Sequence, residues 1–185
     1  MFGLGGEKPS SVERALALAV DTRKFEIERF WQRALFFWGF IAAAAVAYSS
    51  EAFKDDHYAK LVIACFGVVC SLAWTLGNRG SKYWQEAWER KVENLEQDAL
   101  GMRLFSQIER PQSKGFWGGS RFSVSQLAIA LSDFTLIVWI VAMFRCVKID
   151  PAGMIDVGEA VVVGFTAFYG LAMFLGAKVK VEADQ

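Results

Sequence analysis

Only one histidine, three cysteines and three prolines occur in the 185 residues. With a single histidine, His57, one subunit cannot build a His-rich zinc site or a two-His protease motif. His57 stands in a short acidic stretch and reads as a solvated loop residue. Cys65 and Cys70 lie within one apolar run and Cys146 ends another, without any CxxC spacing. They read as small apolar packing residues, because reactive thiols need an electropositive, accessible setting. No GxxxxGK[ST] phosphate loop and no GxSxG elbow occurs, and the glycine cluster at 115–119 reads as a turn. Net charge is lacking too: 20 Lys and Arg balance 20 Asp and Glu. Nucleic acid is therefore not an expected partner, since that binding depends on phosphate neutralisation. No pairing of nucleophile and base is visible, so the chain reads as non-enzymatic, with no cofactor and no metal.

What is present is apolar surface, strongly segregated. Hydrophobic residues make up 54% of the chain, with 16 Phe and 7 Trp. Residues 34–50, 61–77, 126–144 and 160–177 hold one charge among them, Asp133. A run of 17 residues is about 26 Å of helix, the lower limit for a hydrocarbon core of about 30 Å. One such run could be a buried helix of a soluble protein; four with aromatic flanks read as membrane spans. Thirty-three mostly polar residues precede the first run, which argues against a cleaved signal peptide. The fold class expected is all-α, a polytopic membrane protein with four transmembrane helices and long cytoplasmic helical extensions.

Basic residues set the orientation. Sixteen Lys and Arg fall in 1–33, 78–125 and the tail, and four in the two remaining connections. The expected organisation is a cytoplasmic N-terminal helix at 1–33, a transmembrane hairpin at 34–77, and a cytoplasmic amphipathic helix and turn at 78–125. A second hairpin at 126–177 and a cytoplasmic tail at 178–185 follow. The outer loops, 51–58 and 147–158, are too short to form a domain and carry Asp55, Asp56, Asp150 and Asp156.

Pro9, Ser10 and Ser11 read as a helix start, and neither Pro nor Gly interrupts the chain again until Gly39. Val12, Leu16, Ala19, Ile27, Phe30 and Ala34 recur at helical steps broken by Arg23, so this helix should run unbroken into the first span. After Gly80, the residues Trp84, Trp88, Val92, Leu95, Ala99 and Met102 form a stripe near heptad spacing. Either Gly80 breaks the rod and Ser81 caps a new helix, or the second span continues straight through; Pro111 ends it. The stripe suits packing on partner helices, on residues 12–33 of the same subunit, or on the membrane surface. Small residues at four-residue steps mark close helix contacts: Gly39, Ala43 and Ala47, then Gly67 and Ser71, then Ala172 and Gly176. Whether these contacts lie within or between subunits is open.

The sequence Asn78-Arg79-Gly80-Ser81-Lys82-Tyr83-Trp84-Gln85, trailed by Glu86, Trp88 and Glu89, resembles a signature of the RipA family of octameric bacterial inner-membrane proteins. The motif covers about fourteen residues, counted from Leu76 to Glu89, and the four-span layout extends the likeness to most of the chain. The resemblance implies a homo-octamer with a large cytoplasmic helical part, and no established reaction.

Asp133 needs a reason, because an ionised carboxylate in hydrocarbon is costly. It is either an ion or proton site or an intersubunit salt-bridge partner, with Arg79 preferred over Lys82, or it lies at the interface and the span proper starts near Phe134. The leading function is a homo-oligomeric, non-enzymatic membrane scaffold contacting membrane lipid. Its cytoplasmic helices would be the surface for further copies or an unidentified cytoplasmic protein. The alternative is a channel or transport component with a polar path near Asp133.

Overall fold

A computed structural model describes residues 10–100, 123–149 and 153–177. The expected stop at Pro111, stripe position Met102, turn at 115–119 and tail at 178–185 lie outside them. Four α-helices follow in order: α1 Ser11–Ser49, α2 His57–Leu100, α3 Val124–Cys146 and α4 Val157–Gly176, with a 3-10 turn Glu51–Phe53 after α1. The fold is all-α, and each of the four helices is long and apolar enough to cross a membrane. Among the described residues the β-type pairing is a single bridge, Ile149 to Ile155, in a loop where Gly153 takes φ +78°.

The helix starts follow from local chemistry. Ser10 and Glu13 form a reciprocal capping box, with Ser10 Oγ accepting from Glu13 N at 3.1 Å and Glu13 Oε2 from Ser10 N at 2.7 Å. Asp56 Oδ1 accepts from Ala59 N, Ser123 Oγ from Gln126 N, and Asp156 Oδ1 from Gly158 N and Glu159 N. At Gly80 the rod continues: α2 is one helix of 44 residues, about 66 Å long. α1 likewise runs unbroken for 39 residues.

The chain divides into two compact units, Met1–Trp31 with Ser81–Phe122 and Gln32–Gly80 with Ser123–Gln185. In the second unit α2 is the central helix. Of its apolar window 44% is buried, against 17%, 17% and 11% for α1, α3 and α4. α1 packs on it edge-on through Trp38 against Trp74 and Phe40 against Phe66. α4 meets it where Leu72 approaches Gly170, and a buried cluster of Ala44, Leu61, Ala64, Cys65, Trp139, Met143 and Cys146 joins α1, α2 and α3. In the first unit, Ala19 and Phe30 of α1 and Val92 and Glu96 of α2 are buried. Arg23, which broke the apolar periodicity, reaches Glu89 at 3.1 Å.

His57 differs from its reading as a solvated loop residue. It is the first residue of α2, and its Nε2 is buried 3.8 Å from Glu159 Oε1. The loop closed by the Ile149–Ile155 bridge brings this about, because Lys148 N donates to Glu159 Oε2 at 2.8 Å and ties the start of α4 to it.

Candidate functional site

The polar residues inside the apolar unit gather along one face of α2. Gly67, Ser71, Trp74, Thr75 and Asn78 recur at three- and four-residue steps, so they share that face. α3 lies against it. Asn78 Nδ2 donates to Ala128 O and to Ser132 Oγ, both at 3.2 Å, and Ser132 Oγ donates to Ile129 O at 2.8 Å. Both side chains are buried, so each polar group that is tied here escapes the penalty of meeting hydrocarbon unpaired. At Gly67 the two helices touch so closely that an added Cβ would fall on the Trp139 indole.

One residue further along α2, Arg79 Nη2 stands 2.7 Å from Asp133 Oδ2. The structure thus brings together the two charges singled out in the sequence, within one subunit rather than between two, because α3 lies against the face of α2 that carries Asn78. Their side chains are 55% and 36% exposed, so the pair lies at the edge of the bundle rather than in its core. Arg79 is two residues past the apolar run 61–77. That depth suits a guanidinium reaching toward the headgroup layer while holding the carboxylate. Chemically, the bond neutralises Asp133 and occupies the group that would otherwise attract a cation.

The stripe on α2 divides by exposure. Val92 is 2% exposed, Trp88 and Leu95 are half-buried, and Trp84 is 48% exposed. Of the small-residue positions, Gly67 is buried against Trp139 of α3 and Ser71 is buried, whereas an added Cβ at Gly39 meets nothing within 4 Å and Ala43, Ala172 and Gly176 are exposed. Between α2 and α4 an apolar groove of about 500 Å³ is lined by Val62, Phe66, Val69, Val161, Phe165 and Tyr169.

Two features escaped sequence reasoning. Glu159 is 6% exposed and caps the loop at Lys148, although its place in the first turn of a helix is a usual site for a carboxylate. The Arg23–Glu89 pair is separated by 66 positions, and no local periodicity announces it. On the same helix, Lys82 Nζ lies 2.7 Å from Glu86 Oε1, and that bond holds the Glu86 carboxyl below its ordinary range. Among the described residues no group of three His, Cys, Asp or Glu could hold a metal ion.

Four long apolar helices, three of them packed on the polar-faced α2 and two continuing far past their apolar runs, define a polytopic helical membrane protein. A model of the Octameric membrane protein family (8xMP) matches residues 13–147, well over half of the chain, and the protein belongs to that family. Neither a curated protein nor a solved structure matches it.

Proposed function

We propose that this protein is a homo-octameric, non-enzymatic scaffold of the bacterial inner membrane, with both termini and residues 78–125 in the cytoplasm. The cytoplasmic helices form its working surface, for neighbouring copies and for an unidentified cytoplasmic protein. The observation that carries this reading is the apolar surface left uncovered outside the apolar runs: Leu18 is 69% exposed, Phe25 49% and Trp84 48%. Large apolar side chains left this exposed in water favour a partner that covers them. The family's octameric description supplies the partner, further copies of this chain. Gly39 and Ala43, exposed on α1, suit close approach of a neighbouring helix in lipid. Lipid chains meet the remaining outward faces, among them the groove between α2 and α4.

Asp133 supports the scaffold over a conducting path, because its charge is already spent on Arg79. The sixteen-to-four basic bias supports the orientation.

Native mass measurement of the detergent-extracted protein tests the assembly. The expected mass is eight chains, and Phe25→Glu with Trp84→Glu should shift it to smaller species. An unchanged assembly in that variant would remove this face from the interface. A cysteine placed at Asp55 should label from outside the cell and one at Asn94 should not; the opposite pattern would invert the topology.

A further inference from the structure

Between the contacts that Gly67 and Asn78 make with α3, α2 holds three polar atoms with no hydrogen-bond partner: Ser71 Oγ, Nε1 of Trp74, whose ring also meets Trp38 of α1, and Thr75 Oγ1. Their residues are 0%, 3% and 5% exposed, deep in the run 61–77. Hydroxyls in transmembrane helices ordinarily settle this by donating to the carbonyl four residues back. In this chain Thr22, Ser49, Thr135 and Thr166 all do so, at 2.7–2.8 Å. Ser71 and Thr75 do not, and Trp74 has no such recourse, because an indole N–H only donates and its ring is fixed by packing.

Ser71 lies one turn before the adjacent Trp74 and Thr75, the i, i+3, i+4 spacing that shares a helix face, and a single partner serving all three would accept from Trp74 and exchange bonds with two hydroxyls. A cation fails, since the indole N–H cannot ligate one. An anion fails, since Arg79, the nearest cation along this face, is engaged by Asp133. Burial of all three limits the partner to a molecule of water's size. Water also has the matching valence: it accepts one or two bonds, donates two, and stays in protein interiors where it finds two to four polar partners. The seam is bounded toward one end by the Asn78–Ser132 hydrogen bond and toward the other by Trp139 against Gly67.

We propose that Ser71, Trp74 and Thr75 form a closed site for internal water in the α2–α3 seam, with Trp74 Nε1 donating to the bound water and the two hydroxyls completing its shell. The bound water is then an integral part of the helix contact. The site is closed by residues on both sides, so it is a structural one and stands whether or not the octamer scaffolds a partner.

The test uses the full-length protein in phospholipid nanodiscs, with indole ¹⁵N-labelled tryptophan and magnetisation transfer from water in solid-state NMR. Trp74→Phe assigns the Trp74 signal among the seven tryptophans. Rapid transfer from water to the Trp74 indole proton is expected, reduced severalfold in Ser71→Ala with Thr75→Val and preserved in Thr75→Ser. Absence of transfer in the unaltered protein overturns the proposal. So does an upfield-shifted indole proton without transfer, which would place the N–H on the face of the Trp38 ring 6.1 Å away. Transfer that persists in the double variant overturns it as well, since the hydroxyls would then hold no water.

Discussion

Gly67 and Ser71 on α2 and Gly39 and Ala43 on α1 are spaced alike, four residues apart, in runs of like length. On α2 the small residues let the Trp139 indole lie against the backbone, and Ser71 is fully buried. On α1 the same pattern faces outward: an added Cβ at Gly39 would meet nothing within 4 Å among the described residues, and Ala43 is exposed. The pattern therefore encodes how near another helix can come, and leaves open which helix. What selects the inward face is its company: Ser71, Thr75 and Asn78 would be expensive against lipid, so that side of α2 turns to α3. The outward face of α1 is flanked instead by Leu35, Phe36 and Phe40, which lipid tolerates.

The largest effect should come from Gly67→Ala. Its Cβ strikes a rigid indole rather than the end of a flexible chain, so unfolding stability in detergent should fall by about 3 kcal/mol. Gly39→Ala, whose added Cβ meets nothing in its own subunit, should leave the stability of the single chain unchanged or raise it by up to about 1 kcal/mol through helix propensity, and its cost should fall on the octamer mass instead. Equal losses at the two positions would erase the distinction between the faces.

Next comes the pair at the edge between inward and outward. Asp133→Ala leaves Arg79 unpaired beside hydrocarbon and should cost about 2 kcal/mol, below the value for a bilayer-centre charge because Arg79 can reach the headgroups. Combining it with Arg79→Leu should restore most of that loss, whereas strictly additive losses would show the two charges to be uncoupled.

A pair in water should count for less. Arg23 and Glu89 are 33% and 49% exposed, and a double-mutant cycle should return at most about 1 kcal/mol, shrinking as salt is raised. Smallest is the pH response of Glu86, which is about half exposed and whose carboxyl is lowered first by its hydrogen bond from Lys82. A carboxylate lowered in the folded state contributes above its ordinary value, and the contribution is lost as pH falls through the lowered one. Glu86→Gln should accordingly remove a slight acid-side decline in helix stability followed by circular dichroism; an unchanged decline would assign it to other carboxylates.

Much of this arrangement was readable in the residues. The start of α1 was announced by Pro9, Ser10 and Ser11, and the cap that Ser10 forms with Glu13 is chemistry acting over three positions. Arg79 and Asp133 could be paired because a charge in an apolar run has few remedies and these two share a depth. The destinations of Arg23 and Glu159 were not readable. Each partner lies on another element, and a surface arginine or a first-turn glutamate is satisfied as well by water as by a distant neighbour. The stripe from Trp84 to Leu95 was visible as a stripe, yet spacing alone could not say that Val92 would be buried and Trp84 half exposed.

The unbroken α2 has a consequence for its backbone. A helix end leaves four carbonyls or four N–H groups without intrahelical partners, and α2 has no end where the apolar run 61–77 gives way to the charged stretch that follows. The hydrogen-bond ladder therefore passes Gly77 and Gly80 intact, and no cap has to be supplied at the depth where water is scarce.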